Sequence, residues 1–427
     1  MNTTDNIITG FDNFELKSDA LSDIRSKAID SFIKNGFPTT RHEEWKYTSV
    51  KDIAEKLNLT TKRASAGSLK ESAVNELMFA GKDVTLLVFE NGLFQESLSS
   101  PLPNDYIIKN LASVRNDAAV KQYLGKIAQS ENESFVALNT AFVNDGVFIH
   151  VPAKKVVDKP VHILYVNSGS EPAITRNLVI AEPESSIQLF ESYHSLDETC
   201  EGLSTNVTEV VVKRNGNVTW VKAQLENELT SQISFTQVEQ EQDSRFSSTV
   251  FTTGGHLVRN NLHIRLNGTN SNAHMYGLYL LSGEQLCDNH TLVDHAMPHC
   301  ESNELYKGVL GGKSTGVFNG KIFVRQDAQK TNAYQSNKNI LLSDDAQMNT
   351  KPQLEIFADD VKCSHGCTIG KLDEDALFYL RARGISEKNA KALLLHAFAS
   401  DILGQIENEA VKHHIEQLIS ERLSFEA

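Results

Sequence analysis

The sequence predicts a mainly β protein in which a β-helix core lies between N-terminal and C-terminal helical regions. Residues 147–372 form a long series of short β-rich runs, and apolar residues follow a helical repeat before and after that series. The turns between runs are short and rich in Asn, Gly, Asp and Ser, and no propeller-blade signature is found. Short strands at tight spacing favour stacked turns, in which each turn shields the edge of its neighbour, over a large jelly roll.

The N-terminal region, residues 1–146, begins with a predicted helix. Ser18 is the expected cap, and Gly36 the expected end. Between them, apolar residues recur at steps of three and four: Leu21, Ile24, Ala28 and Phe32. The dense charged and aromatic cluster 41–48 follows, with Trp45 expected to pack inward, and then a shorter helix over 51–57.

The predicted core spans residues 147–372. Most of its runs alternate apolar and polar residues, as half-buried strands do. The clearest strand runs are 162–166, 178–180, 187–190, 207–212, 218–221, 233–238, 247–251, 263–266 and 275–281.

The C-terminal region, residues 373–427, returns to a helical repeat. Asp373 is the expected cap of a short helix ending at Gly384, and Ser386 the cap of a longer one. A final helix is expected over 408–423. The predicted apolar stripe of the longer helix consists of Ala390, Leu393, Leu394, Ala397, Phe398 and Ile402.

The charge balance argues against nucleic-acid and membrane partners. Forty-one basic and 55 acidic residues give a net charge of −14, so a broad positive surface is not expected. The N-terminus lacks a basic segment followed by an apolar run, and no stretch reaches the roughly 18 apolar residues of a membrane span. We therefore expect a cytoplasmic protein.

Cysteine usage indicates thiols rather than disulfides. An odd number of cysteines, five, is scattered through the chain without an export signal, so any special cysteine is expected to be a thiol ligand.

Residues 311–315, Gly-Gly-Lys-Ser-Thr, resemble the end of a phosphate-binding loop. The spacing fails, because such a loop has four residues between its two glycines, and Lys307 occupies the place of the first glycine. Residues 316–324 also predict a strand rather than the helix whose N-terminus would hold a phosphate. Nucleotide binding at this segment is therefore not expected.

Histidines between positions 290 and 299, with Asp294 and Cys300, resemble a metal site superficially. If this segment were one strand, alternation would place His295 and His299 on one side and Cys300 on the other. Structural histidines are the favoured interpretation, and a metal site is the alternative.

The sharpest constellation is Cys363, His365 and Cys367, which lie at two-residue steps. In an extended strand all three side chains share one face, where thiolate and imidazole suit iron or zinc. A structural zinc site would lack an evident fourth ligand, and a nucleophilic Cys/His pair would lack an orienting carboxylate. A buried cysteine beside a hydrogen-bonded histidine remains an equal alternative.

Residues 351–366, Lys-Pro-Gln-Leu-Glu-Ile-Phe-Ala-Asp-Asp-Val-Lys-Cys-Ser-His-Gly, resemble the signature of the SufB/SufD family, most closely its SufD branch. Residues 378–385, Phe-Tyr-Leu-Arg-Ala-Arg-Gly-Ile, are similar to a second run of that family, and the cluster 41–48 resembles its N-terminal motif. The resemblance implies a right-handed parallel β-helix. It also implies a non-catalytic scaffold for iron–sulfur cluster assembly.

The resemblance also implies partners and a site. A SufB subunit would pair edge to edge with the β-helix, the C-terminal helices would dock the ATPase SufC, and the chain alone could form a homodimer. The nascent cluster would be transient and shared with SufB, with His365 and Cys363 as the residues of this chain that contribute, and no tightly bound cofactor is expected in the isolated chain. Cys367 stands where the SufD pattern usually has a small residue, so it is left outside the site.

Two other functions of the chain are alternatives to the scaffold. A β-helix enzyme acting on polysaccharide would need paired carboxylates along a groove, for which Asp294, Asp359 and Asp360 are the candidates. A stable zinc protein would use Cys363, His365 and Cys367.

Overall fold

A continuous coil of parallel strands forms the centre of the chain. The computed structural model describes residues 3–59, 66–79, 81 and 83–426. Consecutive strands of the coil alternate between two sheets, so that each pairs in parallel with the strand two positions along the chain. This connectivity is a parallel β-solenoid of about 8 turns, which confirms the predicted mainly β fold with a β-helix core.

The two walls of the coil are named sheet A and sheet B. The strands of sheet A are β1 (Thr85–Glu90), β2 (Leu93–Phe94), β5 (Val161–Asn167), β7 (Ser186–Ser195), β9 (Asn217–Leu225), β11 (Arg245–Thr252), β13 (Asn272–Leu281), β15 (Glu301–Leu310), β17 (Asn332–Leu341) and β19 (Lys362–Gly370). The strands of sheet B are β3 (Ile107–Asn110), β4 (Val147–Val151), β6 (Ala173–Ala181), β8 (Leu203–Val212), β10 (Ser231–Gln240), β12 (Leu257–Leu266), β14 (Leu286–His295), β16 (Thr315–Val324) and β18 (Gln347–Ile356).

Helices precede and follow the coil. They are α1 (Thr3–Asp12), α2 (Ser22–Asn35), α3 (Lys51–Lys56), α4 (Glu71–Leu77), α5 (Ala118–Tyr123), α6 (Ser134–Phe142), α7 (Glu374–Ala382), α8 (Glu387–Leu403) and α9 (Glu409–Glu426). Within the described ranges, no helix has the length and apolar character needed to cross a bilayer. Positions 1–2, 60–65, 80 and 82 of the predicted N-terminal region, and 427 of the C-terminal region, lie outside the described residues.

The predicted strand runs all fall inside strands of the coil, although the strands are longer than predicted. The extra length comes from polar residues that the coil buries. Residues of β8, for example, are buried without exception, because one face points into the coil and the other is covered by helices. Burial on both faces weakens the alternation from which strand ends are predicted.

Left-handed residues recur at equivalent turns of the coil. Non-glycine residues with φ between 56° and 65° close these turns, namely Lys154, Glu184, Asn215, Asp243, Asn270, His299 and Lys330. Three of the seven are Asn or Asp, which tolerate this conformation better than most other side chains. The expectation that His295 and His299 share a strand face is wrong, because β14 ends at His295 and His299 belongs to such a turn.

The start of the first predicted helix is also corrected. The helix expected from Ser18 begins as α2 at Ser22, and it ends at Gly36 as predicted, with φ 63° there. Asp19 explains the later start, because its carboxylate accepts from the Leu21 backbone N–H at 2.8 Å and from the Arg25 guanidinium at 3.1 Å.

The C-terminal helices cover the outer face of sheet A. Asp373 and Ser386 cap α7 and α8 as predicted, each accepting from a backbone N–H three residues on. The predicted stripe of α8 is partly wrong: Leu393 is 52% exposed, and Ala397 is exposed as well. The buried face instead consists of Ala390, Leu395, Ala399, Ile402 and Leu403.

Candidate functional site

The two ends of the coil differ. At the first end, sheets A and B terminate in short antiparallel strands, β2 and β3. At the other end they terminate in β19 and β18, which pair in parallel with β17 and β16, and no described strand lies against their outer edges. An uncovered edge presents unpaired backbone groups that template the addition of another chain. This second end is called the open end.

The predicted row of ligands lies on β19 at the open end. Cys363, His365 and Cys367 are in register with Ala333, Gln335 and Asn337 of β17, which are all buried. Tyr334, which lies between Ala333 and Gln335 on β17, is exposed. Side chains alternate along a strand, so the row continues the inward-facing side of the coil. The prediction that the three side chains share one face is therefore confirmed.

The three side chains of the row differ in burial. Cys363 is half-buried and packs against a small apolar cluster that includes Ala333 and Ile322, whereas His365 and Cys367 are exposed. Burial raises the pKa of the Cys363 thiol, although a backbone hydrogen bond involving Ala333 opposes the shift. Cys363 is therefore a protonated thiol at neutral pH, and a metal ion would have to displace this proton in order to bind the sulfur.

One metal ion cannot be held by the whole row. With a rise of about 3.3 Å per residue, Cys363 and Cys367 are separated by roughly 13 Å along the strand, whereas Zn–S bonds are about 2.3 Å long. Among the described residues no group of three His, Cys, Asp or Glu side chains is placed to hold a metal ion. This geometry disfavours the zinc alternative. The row can therefore offer ligands only to a molecule that binds across the open end.

Exposed apolar side chains surround the row. Four large ones lie at the open end: Tyr334, Ile356, Phe357 and Ile369. Phe357 is 59% exposed, and its ring lies 5.4 Å from that of Phe323. Pro352 in β18 is compatible with an edge strand, where a missing N–H donor is tolerated. Apolar surface beside two uncovered strand edges is typical of a protein–protein interface.

The other sequence candidates have structural roles. Residues 311–314 form the turn between β15 and β16, so the phosphate-loop-like segment leads into a strand, as predicted. His295 is buried, and its Nε2 lies 2.9 Å from the Ser302 hydroxyl oxygen. Asp294 accepts from the Arg325 guanidinium at 2.7 Å, and Asp360 is paired with Lys330. These two carboxylates considered for a polysaccharide-acting enzyme are thus engaged in ion pairs.

The N-terminal motif 41–48 packs against sheet B of the same chain and is called the docking segment. The residues of sheet B that it contacts were not predicted from the sequence. Trp45 is buried as expected and lies beneath the guanidinium of Arg259. Thr48 donates to Asp288 at 2.5 Å, and Asp288 is paired with Arg259 and His290. A cavity of about 520 Å³ lies beside this cluster. Arg259 and Asp288 are each followed by polar residues in β12 and β14, so no local pattern in the sequence marked them as a buried pair.

Two family models together match most of the chain. Residues 164–398 match the model of the SufBD core domain of the SUF system for iron–sulfur cluster assembly, and residues 13–163 match the SufBD N-terminal region. An iron–sulfur cluster assembly SufBD family protein of Synechocystis is 32% identical over 411 residues, covering 93% of this chain and 90% of the relative. The iron–sulfur cluster assembly protein SufD of Escherichia coli is 29% identical over 417 residues, covering 96% and 95%. The Bacillus subtilis SufD is 26% identical over 320 residues, covering 74% and 73%. The chain therefore belongs to the SufB/SufD family of iron–sulfur cluster assembly proteins of the SUF system.

Proposed function

We propose that this chain is a non-catalytic scaffold subunit of a SufBCD complex, in which clusters are assembled where the open end of the coil meets SufB. The observation that carries the proposal is the position of Cys363 and His365, which face inward on a terminal strand whose outer edge is uncovered. A second β-helix that adds its own terminal strands there would lie directly over these two side chains.

The ligand chemistry supports a shared cluster. Iron and sulfide favour thiolate and imidazole ligands, and Cys363 and His365 supply one of each. Two ligands from one chain leave the coordination of iron incomplete, so the partner must supply the rest. The nascent cluster is cargo that is held transiently, and the isolated chain is expected to bind no cofactor tightly. Without SufB, the same uncovered edges favour pairing with a second copy.

The C-terminal helices are the proposed docking site for the ATPase SufC. Helix α7 buries none of its side chains, and Phe378 and Tyr379 on it are exposed, as is Leu393 on α8. Helix α9 instead packs against sheet A through Val411, Ile415 and Ile419. An exposed aromatic pair on a helix anchored by its neighbours is a suitable anchor for a partner. ATP would be handled by that partner, since residues 311–314 form a strand-to-strand turn.

The site is tested with His365→Ala in the reconstituted complex. We expect cluster assembly to slow at least tenfold while the complex stays intact by gel filtration, since one ligand position is lost. His256→Ala, at an exposed turn histidine before β12, is the matched control and should assemble clusters at the wild-type rate. Undiminished assembly by the His365→Ala complex would refute the proposed role of that residue.

The docking site is tested with Phe378→Asp. We expect the variant to lose co-purification with SufC while it retains SufB, because a charge on this helix disfavours an apolar contact. Leu229→Asp is the control, since Leu229 is an exposed apolar residue in a turn of the coil. Equal SufC recovery from both variants would argue against docking through α7.

A further inference from the structure

Gln335 lies on the strand next to His365, directly beneath it in the coil. Strands β17 and β19 are in register, and Gln335 is the Cα partner of His365. Adjacent strands lie about 4.8 Å apart, so the two side chains stack on the inward face. Gln335 is 3% exposed, whereas His365 is exposed. The buried amide therefore lies one strand below His365 on the same inward face of the coil.

The amide of Gln335 is held in place from two sides. Its Nε2 donates to Oε2 of Glu304, a buried carboxyl on β15, at 2.8 Å. The same Nε2 lies over Gly320 of β16, where a Cβ atom would approach it to 2.2 Å. Only glycine at that position lets the glutamine side chain extend across the coil. A side chain that is held both by a hydrogen bond from its donor and by contact with its packing surface is pre-organised.

The carbonyl end of the same amide is unsatisfied. Among the described residues, no group donates a hydrogen bond to Oε1 of Gln335, although this atom is buried. A buried acceptor without a partner costs about 1–3 kcal/mol. The ring of His365, one strand away, carries the missing type of donor, because a neutral imidazole has one N–H and one lone pair.

We infer that Gln335 is a positioning residue for His365: when the exposed imidazole turns inward over the coil, its ring N–H donates to the Gln335 side-chain carbonyl, which has no donor among the residues that the structure describes. The hydrogen bond fixes the tautomer and leaves the other ring nitrogen, with its lone pair, directed out of the open end. Metal-binding histidines commonly donate their second ring N–H to a carbonyl or carboxylate in this way, and loss of that acceptor costs roughly 10- to 100-fold in metal affinity. The inference rests on the proposed function, in which His365 is a ligand of iron.

The test measures cluster assembly by the reconstituted complex as a function of ferrous iron concentration. Gln335→Met keeps the length of the side chain and removes the acceptor. We expect it to raise the half-saturating iron concentration about tenfold with a smaller effect on the maximal rate. Gln188→Leu, at a half-buried position on β7 that faces away from the coil interior and lies far from the open end, is the matched control and should keep the wild-type iron dependence. Gln335→Asn, which keeps an amide but withdraws it by one methylene, should shift the iron dependence in the same direction and serves if the methionine variant folds poorly.

The double variant decides between positioning and a general structural role. If Gln335 acts through His365, Gln335→Met combined with His365→Ala is no more impaired than His365→Ala alone. If the two losses multiply, or if Gln335→Met and Gln335→Asn keep the wild-type iron dependence while His365→Ala is impaired, the inference is overturned and the proposed function stands. If His365→Ala itself assembles clusters normally, the proposed function fails.

Discussion

The guanidinium carbon of Arg259 lies 3.7 Å from the centre of the Trp45 ring. The same guanidinium donates to Asp288 at 2.5 Å and to the backbone carbonyl of Glu44 at 2.8 Å. Arg259 and Asp288 are 2% and 1% exposed. Burial opposes ionisation of Asp288, but Arg259 and His290 outweigh it and lower its pKa to about 2. A buried ion pair thus fastens the N-terminal docking segment to sheet B.

Replacing Arg259 with Met should destabilise the protein strongly. It removes one of the two cationic partners of the buried Asp288 carboxylate, and removing one partner of a buried ion pair typically costs about 3–5 kcal/mol. A lower urea midpoint and faster proteolysis near Trp45 are the expected results. Arg325→Met removes an arginine from the exposed pair with Asp294 and should cost about 1 kcal/mol or less. An equal decrease in the urea midpoint of the two variants would show that burial does not determine how much the Arg259 pair contributes to stability.

Phe357→Asp should weaken association through the open end without unfolding the chain. Phe357 is 59% exposed beside the uncovered edge of β18, and a carboxylate there would have to be desolvated on contact. Sedimentation velocity should show a loss of dimer, or of the complex with SufB. Val156→Asp offers a close comparison, because Val156 is 60% exposed but lies at the opposite end of the coil. Association that is equally sensitive to both changes would place the interface elsewhere.

Alkylation should rank the cysteines by their exposure. In the native chain iodoacetamide should modify the exposed Cys367 first and the half-buried Cys363 more slowly. Cys287 should react only after unfolding, because it is buried and burial raises its pKa to about 12. Peptide mass spectrometry over time measures this order. Protection of Cys367 on addition of SufB is expected if the partner covers the open end, and rapid labelling of Cys287 in the folded chain would contradict the structure.

Glu226→Gln should change how stability depends on pH. Burial raises the pKa of Glu226 to about 7, against opposing effects of Ser204, Lys222 and Asn167. The folded state therefore holds a proton that the unfolded state loses near the ordinary pKa of 4.5. The contribution of Glu226 to the free energy of unfolding is complete below pH 4.5 and is lost as pH rises through about 7.

An amide at position 226 mimics the protonated acid at every pH. The melting temperatures of Glu226→Gln and wild type should agree near about pH 4 and diverge toward about pH 8, where the variant is more stable by on the order of 3 kcal/mol. Circular dichroism melts across this range measure the difference. Glu284→Gln, at an exposed carboxylate, should follow the wild-type profile. A constant difference across the range would mean that Glu226 is ionised in the folded state.

Much of the fold was predictable because its signals are local. The caps at Asp373 and Ser386 and the glycine that ends α2 each act within one helical turn, and all are found where predicted. The face of α8 was not predictable. Leu393, Leu394 and Leu395 are consecutive, so a helix could bury any of them, and packing against sheet A selected Leu395.

The sequence by itself determined that a strand-rich core lies between helices, and that Cys363 and His365 share one face, because alternation and capping act over a few residues. The tertiary structure decided that β19 is the uncovered edge, that Arg259 meets Trp45, and that Glu304, Gln335 and His365 lie in one column. These three positions are about 30 residues apart in the chain. Their alignment depends on the length of every turn between them. The winding of the coil fixes this alignment, and no local sequence pattern predicts it.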